Sequence, residues 1–131
     1  MNLLENTQLY RTYGAHPAGQ GWTFRVYAPN ARDAALAGDF NGWQPTPMQH
    51  QGGDWVLAVP DAQPGQCYKY VITGADGQAR WKADPYGTYA QLRPDTASRL
   101  YDVSGFRWHD DVWRERRRET PLTDGPLNIY E

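Results

Sequence analysis

The chain has 131 residues, of which 40% are hydrophobic, so it is long enough for one domain with a modest core. A net charge of −2 and a pI of about 5.9 exclude the basic surface typical of nucleic-acid-binding proteins. No apolar run is long enough to span a bilayer, and Met1–Glu5 lacks the basic and apolar stretches of a signal peptide. Cys67 is the only cysteine, which excludes an internal disulfide and favours a reducing, cytoplasmic location.

The first strand signal follows an N-terminal extension that comprises residues 1–21. Gly14 to Gly21 is dense in glycine and proline and therefore predicts a loop. Trp22 to Tyr27 then alternates apolar and polar side chains, as half-buried strands do. The same alternation recurs from Asp54 to Val59, so Trp22 and Trp55 are both assigned to the core.

The strongest strand signal runs from Gln66 to Thr73, a segment rich in aromatic and β-branched residues. Because successive side chains of a strand point to opposite faces, the pattern places Tyr68, Tyr70 and Ile72 in the core. Lys69 then lies on the opposite face of the same strand.

Three further strands and one helix complete the predicted elements. Short strands separated by turn residues indicate an all-β, antiparallel β-sandwich. The helix has acidic residues in its first turn and arginines near its end, as the helix dipole favours. Trp108 and Trp113 are expected to dock this helix. The predicted strands are Asp33–Gly38, Ala79–Lys82 and Thr96–Val103, and the predicted helix is His109–Glu119.

A short loop from Gly38 to Trp43 interrupts the pattern of strands. Its Asn41-Gly42 pair favours positive φ angles, so the chain is expected to reverse there. The loop ends on a tryptophan, whose ring belongs either to the core or to a surface that binds a ligand.

The chemistry of catalysis is absent from the sequence. It contains neither a Gly-x-Ser-x-Gly motif nor a phosphate-binding glycine loop, and its three histidines are too far apart for a metal site. Cys67 is interpreted as a small packed side chain, and the aspartates in turns as residues that bond their own backbone. We therefore expect no catalytic residue, no metal and no cofactor.

Aromatic and polar residues suited to a sugar remain. Six Trp and nine Tyr stand against three Phe, a bias towards rings with a polar group. A glucan site needs one or two exposed rings for the C–H faces of the sugars and a few polar groups for their hydroxyls. Trp43, Lys69 and Trp81 meet that need if they converge, although composition alone leaves both tryptophans open between core and surface.

Several segments of the chain occur in the same order as in a known protein family. They resemble the N-terminal carbohydrate-binding module, family 48, of bacterial 1,4-α-glucan (glycogen) branching enzymes. The Gly-Asp-Phe-Asn-x-Trp loop indicates the broad module family, and the Lys-Ala-Asp-Pro-Tyr and Arg-Pro-x-Thr-Ala-Ser segments point to branching enzymes. The segments are Phe24–Ala31, Gly38–Trp43, Tyr68–Tyr70, Lys82–Tyr86, Arg93–Ser98 and Asn128–Glu131, with Leu9–Arg11 and Gly14–His16 ahead of them.

The resemblance implies an immunoglobulin-like sandwich over residues 22–106. Residues 107–131 would then be a helix and linker leading into a (β/α)8 catalytic barrel that this chain does not contain. We expect Tyr86 and Arg93 near the surface that faces the barrel. The resemblance also implies a carbohydrate-binding set comprising Trp43, Lys69, Trp81, Asn41, Leu92 and Ser98.

The expected function is non-catalytic binding of α-1,4-glucan, such as glycogen or a maltooligosaccharide, for a cytoplasmic branching enzyme. The partners are that glucan and the enzyme's own barrel, with no nucleic acid and no membrane. Two alternatives stay open. The domain stabilises the barrel without binding glucan, or it is the equivalent module of a debranching or trehalose-releasing enzyme.

Overall fold

Two antiparallel sheets make up the fold, in a computed structural model that describes residues 7–131. The first sheet has the strand order β1-β2-β6-β5, and the second has the order β4-β3-β7-β8 with β9 paired to the start of β7. One helix, α1 (Asp111–Glu119), follows the strands. The strands are β1 (Gly14–Pro17), β2 (Trp22–Tyr27), β3 (Asp33–Gly38), β4 (Thr46–Pro47), β5 (Gln49–Gln51), β6 (Asp54–Val59), β7 (Cys67–Thr73), β8 (Ala79–Lys82) and β9 (Ser98–Arg99).

The core lies between the two sheets and joins them through aromatic contacts. Phe24 of β2 packs edge-on against Tyr68 of β7, with ring centroids 5.1 Å apart. Trp22 and Trp55 are buried, as predicted. The predicted all-β sandwich is therefore confirmed. Its buried core consists of Trp22, Phe24, Val26, Ala34, Leu36, Met48, Trp55, Ala62, Tyr68, Tyr70 and Leu100.

Strand β7 separates the core from the outer face of the second sheet. Tyr68 and Tyr70 are fully buried in the core, and Ile72 packs against it. Lys69 remains partly exposed on the other face, as its position in the alternation predicts. All of β3 pairs with β7, from Asp33 opposite Thr73 to Gly38 opposite Tyr68.

Two predictions at the edges of the sandwich are wrong. Residues 14–17 form β1 instead of a loop, because the free edge of β2 offers main-chain partners and Pro17 stands at the strand's end, where a missing N–H is tolerated. The predicted strand Thr96–Val103 is reduced to Ser98–Arg99, because only the first residues of β7 are available to pair with it.

The predicted helix is present, but the predicted role of its tryptophans is wrong. Trp108 and Trp113 are 75% and 58% exposed, and α1 buries none of its residues. The helix is dominated by charged residues and has no apolar stripe wide enough to pack on a sheet. After it, the described tail contains a 3-10 turn at Leu122–Asp124 and no strand.

A buried carboxylate fixes the aromatic core at the end of the second sheet. Asp84 accepts hydrogen bonds from the hydroxyls of Tyr68 (2.6 Å) and Tyr70 (3.2 Å) through Oδ2, and from the backbone N–H of Tyr86 (2.8 Å) through Oδ1. Its own N–H donates to Ser98 Oγ at 2.9 Å. Burial raises the pKa of Asp84, although the hydrogen bonds from both tyrosines and the Tyr86 N–H oppose that shift.

We expect Asp84→Ala to lower the free energy of unfolding by ~2–3 kcal/mol, because it leaves two buried hydroxyls and an N–H without an acceptor. Asp84→Asn is expected to cost less, since an amide of the same size keeps one acceptor and offers donors to the tyrosines. Chemical denaturation of the three proteins measures both differences. Equal stability of the parent and the alanine variant would contradict the proposed importance of these bonds.

Candidate functional site

Three of the predicted binding residues converge on the outer face of the second sheet. Trp43, Lys69 and Trp81 line one open groove with a volume of about 620 Å³. Trp81 is 47% exposed and Trp43 is half-buried, and neither belongs to the core. The groove is completed by Asp39, Cys67, Gln91, Pro94, Asp95, Thr96 and Ala97.

The register of the sheet places Lys69 and Trp81 on the same face. Trp81 of β8 stands opposite Val71 of β7, and antiparallel partners share a face. Val71 lies two residues beyond Lys69 on β7, so it is on that face as well. On the strand at the other edge of β7, Ala37 of β3 stands opposite Lys69. Its side chain is a single methyl group, so it does not project into the groove.

Trp43 reaches the groove through a tight turn with an unusual backbone. A 3-10 turn at Asp39–Asn41 is followed by Gly42 and Trp43, which both have positive φ angles of 63° and 61°. The reversal therefore falls one residue later than the Asn41-Gly42 pair predicts. Left-handed backbone costs a non-glycine residue about 1–2 kcal/mol, so other contacts must hold Trp43 in place. One of them is the bond from its N–H to Gly38 O at 2.9 Å.

The carboxylate of Asp39 provides the second restraint on Trp43. Its Oδ1 accepts a hydrogen bond from the indole Nε1–H of Trp43 at 2.8 Å. Its Oδ2 accepts one from the backbone N–H of Cys67, the first residue of β7, also at 2.8 Å. One side chain thus ties the indole ring to the strand that carries Lys69.

Asn41 holds the loop together from within. Its Oδ1 accepts from the N–H of Gly38, and its Nδ2 donates to Leu36 O and Thr46 Oγ1. Both amide N–H donors are thereby used inside the protein. Asn41 does not line the groove, and its contacts are those of a residue that closes the loop.

The opposite wall of the groove is a loop that returns from residue 89 to residue 97. Lys69 Nζ donates to Thr96 Oγ1 at 2.8 Å, which ties this wall to the floor. The loop is closed by a bond from Gln91 N to Ala97 O. Leu92, at 83% exposed, is carried on this loop next to Gln91 but does not line the groove.

Ser98 is not brought to the surface with the other predicted residues. It is only 4% exposed, and its hydroxyl accepts the hydrogen bond from Asp84 N. The pairing of β9 with β7 draws it into the sheet beside Tyr68. The resemblance implies a sugar contact for Ser98, but its side chain is buried in this fold.

Sequence reasoning missed several residues of the groove. The sequence pattern explains Asp39 as a turn residue that bonds its own backbone. Asp39 and Trp43 are four residues apart, and in the fold this separation lets the carboxylate accept a hydrogen bond from the indole N–H. Gln91, Asp95 and Thr96 lie in a segment without strand alternation, so no local pattern pointed to them. Only the return of that segment along Lys69 brings them to the site.

The groove is suited to binding and offers little for covalent chemistry. Burial, and next the nearby Asp39 carboxylate, raise the pKa of the Cys67 thiol, so the thiol stays protonated at neutral pH. Within residues 7–131, no cluster of three or more His, Cys, Asp or Glu side chains could hold a metal ion. Among the helices of that same range, none has the length and apolar character needed to cross a membrane.

The chain is similar to known proteins in sequence and in fold. The family model for carbohydrate-binding module 48 (isoamylase N-terminal domain) matches residues 12–87. A 1,4-alpha-glucan branching enzyme GlgB from Butyrivibrio fibrisolvens is 43% identical and covers 94% of this chain. The corresponding enzyme from Rubrobacter xylanophilus is 44% identical and covers 96%. The chain spans only 20% and 18% of the lengths of these two relatives.

The fold is also similar to parts of two solved structures. A maltotriose complex of the PulA-G680L mutant from Klebsiella pneumoniae matches 69% of this chain and 11% of its own, with a TM-score of 0.60 and 25% identity. A putative alpha amylase from Salmonella typhimurium matches 78% of this chain and 17% of its own, with the same TM-score and 24% identity. The second likeness concerns the fold alone.

The backbone at Trp43 leads to a direct test. Because position 43 is left-handed, we expect Trp43→Gly to be more stable than Trp43→Ala by about 1 kcal/mol. Denaturant unfolding of the two variants measures the difference. Both lack the indole, so lost ring contacts cancel in the comparison. An alanine variant that is as stable as the glycine variant would show that the turn does not require this backbone.

Proposed function

The chain belongs to the carbohydrate-binding module 48 family, and from that premise we propose that it binds α-1,4-glucan in the groove lined by Trp43, Lys69 and Trp81. The ligand is glycogen or a maltooligosaccharide. The observation that carries the proposal is the convergence of two accessible indole rings and a lysine on one face of the sheet. Neither ring is needed to complete the core, because other side chains fill it.

The chemistry of the groove matches that of a glucan chain. Indole rings cover the C–H faces of glucose units, which prefer an apolar flat surface. Lys69 supplies N–H donors for hydroxyl oxygens, and Gln91 and Asp95 add an amide and a carboxylate at the wall. A shallow groove of this kind buries little area, so we expect weak binding with a Kd of roughly 10 µM to 1 mM.

The parent protein of this module is, we propose, a cytoplasmic glycogen branching enzyme. Its curated relatives are branching enzymes about five times longer than this chain. Such an enzyme cuts an α-1,4-linked chain and transfers it to a 6-hydroxyl with retention, using carboxylates outside the present chain. The module would hold glucan near that catalytic part and raise its effective concentration. A debranching or trehalose-releasing parent is the alternative, which the names of these relatives do not favour.

Titration calorimetry with maltoheptaose tests glucan binding. We expect saturable heat for the parent chain and a loss of ~1–3 kcal/mol of binding free energy for Trp43→Gly and for Trp81→Ala, because each removes a stacking ring. Trp113→Ala serves as the matched control, since Trp113 is an exposed tryptophan outside the groove. All variants are compared only after far-UV circular dichroism shows the parent fold.

Two outcomes would overturn the proposal. The first is the absence of heat with the parent chain up to several times the highest expected Kd. The second is equal binding by the parent and both groove variants, which would place the glucan elsewhere on the module.

A structural role beside the catalytic part is supported by a separate surface. An open cleft of about 760 Å³ with several exposed apolar side chains is lined by Tyr10, Tyr101, Asp102, Val103, Gly105, Phe106 and Trp108. Phe106 and Trp108 are 67% and 75% exposed, and their rings pack edge to face at 5.1 Å. Exposed apolar patches that contain large aromatic rings are typical of surfaces that contact another protein or domain. We propose that this aromatic surface, which comprises Tyr10, Tyr101, Val103, Phe106 and Trp108, contacts the barrel of the parent enzyme; Tyr86 and Arg93 remain proposed neighbours of that contact.

This contact predicts a difference between the 131-residue chain and the parent enzyme. The double substitution Phe106→Ser and Trp108→Ser is expected to change the stability of the chain by less than about 0.5 kcal/mol, because both rings are already exposed. In the parent enzyme it should lower the Tm, because it removes apolar area from the contact. An unchanged Tm of the parent enzyme would contradict the proposed interface.

A further inference from the structure

We propose that Asp39 is the positioning residue of the groove: its carboxylate sets the orientation of the Trp43 indole and thereby the affinity for glucan. The inference rests on the proposed function and deepens it. It assigns a role to a side chain that the sequence pattern explains as an ordinary turn residue.

The Trp43 ring needs a restraint from outside its own residue. The left-handed backbone at Trp43 is intrinsically unfavourable for a side chain with a Cβ. The preceding Gly42 has a positive φ too, and a Cβ added there would meet no atom within 4 Å. Position 42 therefore faces open space, and no packing against it restrains the residue that precedes the ring.

Asp39 supplies this restraint, because each of its two carboxylate oxygens accepts one hydrogen bond. One oxygen accepts from the indole Nε1–H at 2.8 Å, and the other accepts from Cys67 N at 2.8 Å. Hydrogen bonds to an ionised acceptor are stronger than those between neutral groups. The Asp39 side chain is anchored on Cys67, the first residue of β7. The Trp43 ring is therefore held in position relative to the strand that carries Lys69.

The loop that carries Trp43 approaches β7 closely at Gly38. A Cβ added to Gly38 would lie 2.6 Å from Cys67 O and 2.7 Å from the ring of Phe40. Only glycine at position 38 lets the loop come this near to β7. The same approach brings the Asp39 carboxylate within reach of Cys67 N.

The consequence is a ring that is oriented before the ligand arrives. A side chain already held in its binding orientation loses less freedom when it binds, and this increases affinity. The Nε1–H of Trp43 is already bonded to Asp39 Oδ1. The orienting bond therefore uses the one polar group of the ring and leaves the apolar face for the sugar.

Asp39→Asn separates this role from simple loop support. The variant keeps the size of the side chain but replaces one acceptor oxygen with an amino group, so it cannot accept both bonds. We expect the Kd for maltoheptaose to rise about tenfold in calorimetry, as one charge-assisted bond warrants. Asp76→Asn is the matched control, because Asp76 is another exposed aspartate that accepts side-chain and backbone bonds, in a turn outside the groove.

A double-mutant cycle with Trp43→Phe then shows whether Asp39 acts through the indole. Phenylalanine keeps a stacking ring but has no N–H to donate. Asp39→Asn should therefore weaken binding less than about twofold when it is combined with Trp43→Phe. A loss as large as in the parent background would mean that Asp39 contacts the sugar or supports the loop in general, and would overturn the inference.

Nuclear magnetic resonance of the ligand-free protein gives an independent readout. The indole N–H signal of Trp43, assigned by its absence in Trp43→Phe, should be protected from exchange with water in the parent and in Asp76→Asn but not in Asp39→Asn. An unchanged signal together with unchanged affinity would overturn the inference while leaving glucan binding intact. If the parent binds no glucan at all, the proposed function fails, and the positioning role for binding fails with it.

Discussion

The pairing of β7 with β3 is the constraint on which both the core and the groove depend. The two strands are in register from Gly38 opposite Tyr68 to Asp33 opposite Thr73. Because the side-chain period of a strand is two, this single register sends Tyr68 and Tyr70 to the core and Lys69 to the outer face. A shift by one residue would bury the lysine and expose both tyrosines. The register that places the tyrosines in the core therefore also determines which side chains line the groove.

Two carboxylates complete what the register begins, one on each side of the sheet. Asp84 accepts hydrogen bonds from Tyr68 and Tyr70 beneath the sheet, and Asp39 accepts them from Trp43 and Cys67 above it. Asp84 is almost completely buried and Asp39 is exposed. The first fixes the aromatic interior, where an unpaired hydroxyl is costly, and the second fixes an aromatic ring that must remain accessible. The same chemistry thus stabilises the core in one place and restrains a ring of the proposed binding groove in the other.

Much of the fold could be predicted because its signals are local. The strands Trp22–Tyr27 and Asp54–Val59 have the predicted bounds, since alternation in sequence reflects burial on one face. Asp33–Gly38 and Ala79–Lys82, which follow turn signals, have the predicted bounds as well. The failures are at edges and ends. Strand β1 exists because β2 has a free edge, and Trp108 and Trp113 remain exposed because α1 has no apolar stripe. The free edge of β2 cannot be deduced from residues 14–17, whereas the lack of an apolar stripe is already visible in the sequence of α1.

By itself, the sequence determined the class of fold, the face on which Lys69 lies and the residue types from which a glucan site could be built. It also contained the turn that carries Trp43, although not the residue at which the backbone becomes left-handed. Only the tertiary structure decided which candidates meet. It brought Trp43, Lys69 and Trp81 to one groove, buried Ser98, used Asn41 within its loop and added Asp39 and Thr96. The reason is physical: alternation and turn preferences act over a few residues, whereas a groove is made by strand pairing and loop closure between distant parts of the chain.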